Sequence, residues 1–550
     1  MARKKKVLPA AVEEVQPYIE GVAKNLVDRI YGPNGLPWGT KLTELEDVVI
    51  AVRQVLSEKM LAQALERQAQ TAEQRPEPFR QCAGCSGPVE DKPDAEPRNV
   101  ETRAGEAEWD EPHGYCRKCR QAFFPQSKSL GIDRGEYSVA MLDKIVYAGV
   151  NNSSFKQGSK DLLKLAAVRV TAKQVERVCK RIGAERVDER DEAVEAYEAL
   201  PLTQRKSVPE GVTAPELAVV GCDGGRLQIL DRRGAKVEAE AASAAAEGKR
   251  GKHWREDKIG VLQTMKSEVS TSDPCPEIPA CFVDPTRILK LARELKNQSL
   301  PSEEAAQETA EPEAGVEALA ENRAEWEPPE VVEKRFAGSR VRWPDFGPIL
   351  ATMAWTWGFF GATRQAFLGD GSDNNWTIWR NYFSSFVPIL DFIHALSYVF
   401  ASAMAGRKFA EGWSIYEQWI RWVWSGEVAQ VIAALAQRQL ELGTPQKDDE
   451  ETSPRQIVAQ ALTYLQNHQS QMKYAEYRQQ GLPITSSYVE SAVKQFNQRV
   501  KGTEKFWSEE GAEAILQLRA DHLSDDEPLE RFWQTRQAKQ TGQRPYRKAA

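Results

Sequence analysis

The sequence predicts a multidomain α/β protein, and three observations carry that expectation. Short apolar runs ending in Gly or Asp mark strands between residues 214 and 390. Stretches with apolar residues at helical spacing mark helices on either side, over 10–75, 130–200 and 401–477. Two Cys-x-x-Cys pairs mark a small metal-stapled module between the first two helical stretches. The chain has 550 residues, room for roughly three to four domains of about 150 residues each.

Residues 1–75 read as an N-terminal helical region, with no proline between Pro37 and Pro76 and an Ala/Gln/Glu-rich end. Residues 76–128 carry Cys82, Cys85, Cys116 and Cys119. Each Cys-x-x-Cys turns two thiolates toward one point, and four thiolates close the tetrahedral shell of one structural Zn²⁺, a zinc ribbon. The 30 residues between the pairs are rich in Pro, Asp and Glu and read as an inserted solvated loop. The cysteines are expected to be reduced, because no apolar signal segment follows the basic start. The compartment is therefore expected to be the cytoplasm.

Residues 129–205 read as a helical, helix-turn-helix-like region. Ser153 or Ser154 caps a first helix to Leu165, the chain turns at 166–168, and Thr171 with Gln174 forms a capping box opening a second helix. Lys173, Gln174, Arg177, Lys180 and Arg181 spread over that helix as a groove-reading surface needs, although any amphipathic helix pair has the same pattern.

Residues 206–400 hold the strands: a strand-turn-strand over 214–230 with Gly224-Gly225 at the turn, then 257–265, 365–368 and 386–390. Two low-complexity stretches, 236–251 and 300–330, interrupt them, the second rich in Glu, Ala and Pro and expected to be disordered. Residues 401–480 are all helical, 481–525 carry a last helical pair, and 526–550 form a basic C-terminal tail. The most apolar stretches, 349–362 and 386–406, are read as buried core; the first is too short to span a bilayer and the second contains Asp391 and His394. No membrane partner is expected.

Three acids carry the chemical argument. Asp223 follows the apolar run 217–222, Asp370 follows another strand in a glycine-flanked turn, and Glu490 opens a helix. Carboxylates presented from strand ends and one helix can hold two Mg²⁺ or Mn²⁺ ions about 4 Å apart and act on a phosphodiester. Each Asp has an ordinary turn role as its alternative. Glu490 could instead complete a capping box with Ser487, and spacing leaves both readings open.

These residues fall in an ordered series: the cysteine pairs, Cys222-Asp-Gly-Gly225, Trp254-Arg-Glu256, Phe367-Leu-Gly-Asp-Gly371 with Trp376, Ile389-Leu-Asp-Phe-Ile-His-Ala395, Met472-Lys-Tyr-Ala-Glu-Tyr477, Gly481-Leu-Pro-Ile484, Val489-Glu-Ser-Ala492, Arg499, Lys501-Gly502 and Trp507. Over about residues 75–535 the chain resembles bacterial insertion-sequence DDE transposases of the ISKra-type group. The resemblance implies an RNase H-like mixed-sheet core with a large all-α insertion, and Asp223, Asp370 and Glu490 as its metal-binding triad. Asp391-x-x-His394 is similar to a C/D-x-x-H element of related transposases and implies a supporting role beside the triad. One departure is Thr485-Ser486-Ser487, where the family usually has Gly-Ser-Gly.

On that reading Lys494, Arg499, Lys501 and Lys505 would meet a phosphate backbone and Trp507 an unpaired base. The alternatives are a helix ion pair for Lys494 with Glu490 and a core position for Trp507. The partners expected are double-stranded DNA, both terminal inverted repeats and target, and a second copy of the chain in a homodimer or larger assembly. Rival functions are a non-catalytic DNA-binding protein derived from such an enzyme and a stand-alone nuclease. A net charge of −7 would argue against DNA, but residues 301–330 hold ten Glu and one Arg, and the remainder carries +2.

Overall fold

The computed structural model describes residues 9–71, 74–230, 253–294, 327–502 and 504–545. The chain divides into two compact units, 1–141 with 536–550, and 142–535. The expected low-complexity stretches lie outside the described residues, apart from 327–330 at the end of the second.

The first unit opens with α1 (Ala10–Tyr31) and α2 (Leu42–Gln70). Then β1 (Glu90–Thr102) and β2 (Gly105–Cys116) form an antiparallel hairpin, and β3 (Gln121–Phe123) adds to β2. The stretch expected to be a solvated loop is thus this hairpin. Its sequence has weak strand propensity, but the ladder from Glu90↔Tyr115 to Thr102↔Gly105 satisfies the backbone. Val100, Ala107 and Trp109 then bury against Leu61 and Leu65 of α2. The short helix α3 (Pro125–Leu130) follows β3. The tail is not structureless: the strand Gln543–Pro545 pairs with β3 and completes this sheet.

The second unit contains α4 (Val139–Asn151), α5 (Phe155–Ala166) and α6 (Ala172–Ala199) before its sheet. Ser154 caps α5, Ala167 takes a left-handed turn, and Thr171 and Gln174 form the reciprocal capping box that opens α6. α6 runs for 28 residues to the end of the helical stretch expected over 130–200, and it packs on a later helix (509–523).

The sheet has β4 (Leu217–Ile229), β5 (Trp254–Lys266), β6 (Glu330–Ser339), β7 (Arg364–Gly369), β8 (Val387–Leu390) and β9 (Phe506–Trp507). Its order is β6-β5-β4-β7-β8, with β4, β7 and β8 parallel and β5 and β6 antiparallel; β9 also pairs with β4. Residues 217–229 form one continuous strand, not a strand-turn-strand. Gly224 and Gly225 lie inside it opposite Lys258 and Asp257. A side chain at Gly225 would meet the Asp257 carboxylate at 2.8 Å, so the glycines serve close packing, not a turn. The edge strand β6 was missed because only its last residues, 336–339, are buried and its first half is charged.

Helices cover both faces. On one lies α7 (Trp343–Thr356), whose Phe346 and Leu350 reach Gly260, followed by α8 (Asp373–Tyr382). After β8 comes a run of helices: α9 (Phe392–Met404), α10 (Phe409–Trp424), α11 (Val428–Leu442) and α12 (Pro454–His468). The other face takes α13 (Ser487–Val500) and α14 (Glu509–Leu523). One apolar core runs from the sheet into the helices after β8 and buries Trp419 and Trp424 with Phe367 and Phe392. Among the described residues no helix is long and apolar enough to cross a membrane.

Candidate active site

The parallel register assembles the acids. Gly221 of β4 pairs with Leu368 of β7, and two residues further each strand reaches its aspartate, Asp223 and Asp370. Gly369 pairs with Leu390 of β8, and Asp391 follows. Three neighbouring parallel strands therefore present Asp223, Asp370 and Asp391 toward one edge, the end at which open α/β sheets place their ligands. Asp223 lies within its strand, not at the strand end expected; β4 simply continues past its parallel neighbour.

Glu490 comes from the other direction. Val489 packs so closely over Gly221 that a Cβ there would lie 2.8 Å from it, which sets the first turn of α13 on β4 at the level of the aspartates. Of the two readings left open for Glu490, a capping box with Ser487 as its N-cap does not describe this helix start, because Ser487 is already the first helical residue. The N-cap residue is Ser486; its hydroxyl accepts from no amide of the helix and donates to Asp391 Oδ2.

Each carboxylate is held. Asp370 Oδ1 accepts from the Ser372 amide at 2.9 Å and Asn375 Nδ2 at 2.8 Å, and Asn375 Oδ1 accepts from the Cys222 thiol at 3.2 Å, linking the two strands. The Tyr464 hydroxyl donates to the Asp370 carbonyl at 2.7 Å. Gly371 follows with φ +96°, and the Tyr464 ring fills the place where its Cβ would stand, so both conformation and space demand glycine. Asp391 is fully buried; its Oδ1 caps α9 through the Ile393 amide at 2.8 Å, and its Oδ2 lies 3.3 Å from His394 Nδ1.

The electrostatics follow from this crowding. Burial and then the Asp370 charge push Asp223 up to about 6, with Glu490 adding to the effect, against the Gly224 amide and His394. Burial alone would lower His394, but Asp391, Asp370 and Glu490 together raise it to about 9. Asp391, His394 and Glu490 place ligand atoms within 4.8 Å of one another, a set that can hold a metal ion. Asp223 and Asp370 fall outside that set as the side chains stand; their carboxylates, like those of Asp391 and Glu490, are of the kind that suits a hard divalent cation such as Mg²⁺ or Mn²⁺. A groove of about 650 Å³ opens beside them, lined by Gly371, Tyr398, Gln456, Gln460, Tyr464 and Asn467.

In the first unit Cys82, Cys85, Cys116 and Cys119 cluster as expected. Their sulfurs stand 3.7 Å (82 to 119) and 3.6 Å (85 to 116) apart. Tetrahedral Zn–S bonds of about 2.3 Å put sulfurs about 3.8 Å apart, so the four thiols fit one Zn²⁺. The Gln543 amide nitrogen adds a hydrogen bond to Cys82 Sγ at 2.9 Å.

The expected DNA-contact residues separate. Lys494, Lys501, Lys173 and Arg177 are exposed, and Arg181 is half-buried. Lys173 and Lys180 pair with Glu176 at 2.9 and 2.7 Å, and Gln174 is engaged in the cap. Lys505 donates to the carbonyls of Gln498 and Arg499. Two assignments are corrected. Arg499 is buried, donating to the Gly149 carbonyl at 2.8 Å with its guanidinium over Phe155 and Trp507. Trp507 is buried too, its indole N–H bound to the Val500 carbonyl at 2.9 Å. Arg499 was read as a surface group because residue type records charge but not the helices that pack over it, whereas for Trp507 the core position weighed beside base stacking is the one found.

Sequence reasoning also passed over Asn375, Tyr464, Ser486 and Asp257. Asp257 is fully buried on the sheet face that carries Asp223, with neither carboxylate oxygen hydrogen-bonded, and burial raises it to about 6. The sequence carried no signal for it, because Asp257 stands in the charged run Arg255-Glu256-Asp257-Lys258 that precedes the apolar part of the strand. No family model matches the chain, and no curated protein matches it.

Proposed function

We propose that the chain is a DNA transposase that cuts and joins phosphodiesters with Asp223, Asp370 and Glu490 as metal ligands. The observation that supports this most is the placement of Asp223, Asp370 and Asp391 at one end of the parallel strands with Glu490 packed above them, where burial and then the charge of Asp370 raise Asp223 to about 6. Such repulsion is what bound cations relieve. The resemblance to DDE transposases supplies the substrate class.

Bound magnesium or manganese would activate the attacking oxygen and stabilise the leaving one. The protein's own residues hold the geometry: Asn375 and the Ser372 amide fix Asp370, and Ser486 and the α9 N-terminus fix Asp391. His394, raised to about 9, keeps a positive charge beside the carboxylates at neutral pH. In the first step a water oxygen bonds to phosphorus and the bond to the 3′ oxygen breaks, that oxygen taking a proton. In the second the freed 3′-hydroxyl bonds to a target phosphorus and displaces the target's own 3′ oxygen.

The test is an assay on end-sequence DNA with magnesium that scores cleavage and joining separately. Asp223→Asn, Asp370→Asn and Glu490→Gln should each lower both by at least about a hundredfold, the scale of losing one preorganised electrostatic partner. Full activity in any of them removes that residue from the triad. Cleavage without joining favours a nuclease, and binding without either favours a DNA-binding protein.

A further inference from the structure

Asp370 stands between two glycines, Gly369 and Gly371, so its own sequence does little to fix where it points. β7 ends at Gly369, and Gly371 takes the left-handed conformation. The Ser372 amide and Asn375 hold the carboxylate against its own loop. Something else must hold that loop against Asp391, because ligand oxygens bind a cation well only when they already stand close to their bound geometry.

The helices after β8 supply that constraint. On one flank of Asp370 the Gly369 carbonyl accepts from the Asp391 amide at 2.9 Å. On the other flank the Asp370 carbonyl accepts from the Tyr464 hydroxyl of α12 at 2.7 Å. Tyr398 of α9 lies flat on the Tyr464 ring, with centroids 3.8 Å apart and planes 16° from parallel, and His468 meets that ring at a steep angle with centroids 4.9 Å apart. Asp391 caps the start of α9, and Tyr398 follows two turns later on the same helix. The contacts therefore close a ring: Asp391, α9, Tyr398, Tyr464, Asp370 and back through Gly369. The two phenols differ in one respect. The Tyr464 hydroxyl is committed to the Asp370 carbonyl, whereas that of Tyr398 has no hydrogen bond among the described residues.

We propose that Tyr464, backed by Tyr398, is a positioning residue of the cation site, fixing the Asp370 ligand relative to Asp391. The inference rests on the reading of Asp370 as a metal ligand, and adds that the helices after β8 set the affinity for the metal. Tyr464 acts through its hydroxyl, which reaches the strand end. Tyr398 acts through its ring, which keeps the Tyr464 ring from turning away. The same replacement therefore has opposite effects at the two positions: Tyr464→Phe removes the bond to Asp370, while Tyr398→Phe keeps the stack. A matched loss is available elsewhere in the same apolar core, where the Tyr416 hydroxyl donates to the Phe282 carbonyl at 2.8 Å.

The experiment is a titration of the zinc-loaded full chain with Mn²⁺, without DNA, with the free ion read by electron paramagnetic resonance. Tyr464→Phe should weaken Mn²⁺ binding about tenfold, the lower end of what losing a partner behind a metal ligand costs. Tyr416→Phe, which loses a like bond far along the chain, should bind as the wild type does. Tyr398→Phe should also match the wild type, and Tyr398→Ala should bind several-fold more weakly. Wild-type affinity in Tyr464→Phe overturns the proposal, as does an equal loss in Tyr416→Phe, which would mark a merely structural role. Equal behaviour of Tyr398→Phe and Tyr398→Ala removes Tyr398 from it. Asp370→Asn separates this inference from the reading beneath it. Mn²⁺ binding indifferent to Asp370→Asn sinks both, whereas binding that Asp370→Asn weakens and Tyr464→Phe does not sinks the positioning role alone.

Discussion

Asp257 shows how much one buried carboxylate can matter away from the reacting atoms. Its ordinary value near 3.8 is raised to about 6, chiefly by burial, so the folded protein holds a proton that the unfolded chain releases. Stability therefore falls as pH rises from about 4 to 6 and stays lower above, by about 3 kcal/mol at 1.36 kcal/mol per pKa unit. Asp257→Asn should flatten that slope and raise the thermal midpoint at pH 8, as measured by differential scanning calorimetry between pH 4 and 8. Arg499 makes the opposite case. Its guanidinium satisfies the Gly149 carbonyl inside the protein, so Arg499→Ala should cost about 2–3 kcal/mol in urea unfolding. It should leave the salt dependence of DNA binding unchanged, since no surface cation is lost. At this scale the sequence was informative about the acids, whose chemistry is intrinsic to the side chain. It was uninformative about Arg499, whose role is decided by neighbours hundreds of residues away, such as Phe155.

Among elements, strands buried on both faces were easiest to read. Residues 365–368 and 386–390 were placed to within a residue or two of β7 and β8, because continuous apolar runs have few other uses in a sheet flanked by helices. The β1–β2 hairpin and β6 were not legible, since a backbone ladder needs no apolar pattern when one face stays wet. The hairpin also frames the thiol cluster while the described apolar cluster beside it is small, Val100, Ala107 and Trp109. A zinc ion held by the four thiols would add stability that so small a cluster lacks. Chelation, or Cys82→Ser, should remove one zinc per chain and open residues 80–125 to protease, while 142–535 stays resistant. Mass spectrometry of a limited digest reads both results together. A digest pattern unchanged after full zinc loss would show the hairpin standing on packing alone.

Across the whole molecule, the separation of an acidic stretch from a chain otherwise carrying +2 was visible in the sequence, as were the order of the helical segments and the run of helices after β8. The two-unit division was not, because residues 536–550 belong with 1–141 and no local pattern announces a partnership across some 400 positions. The strand Gln543–Pro545 hydrogen-bonds to Gln121–Phe123, and Gln543 reaches Cys82. Translation therefore delivers both cysteine pairs early and the strand that finishes their sheet only after 142–535 has been made. A nascent chain stopped before residue 543 carries every thiol yet lacks the sheet's final strand.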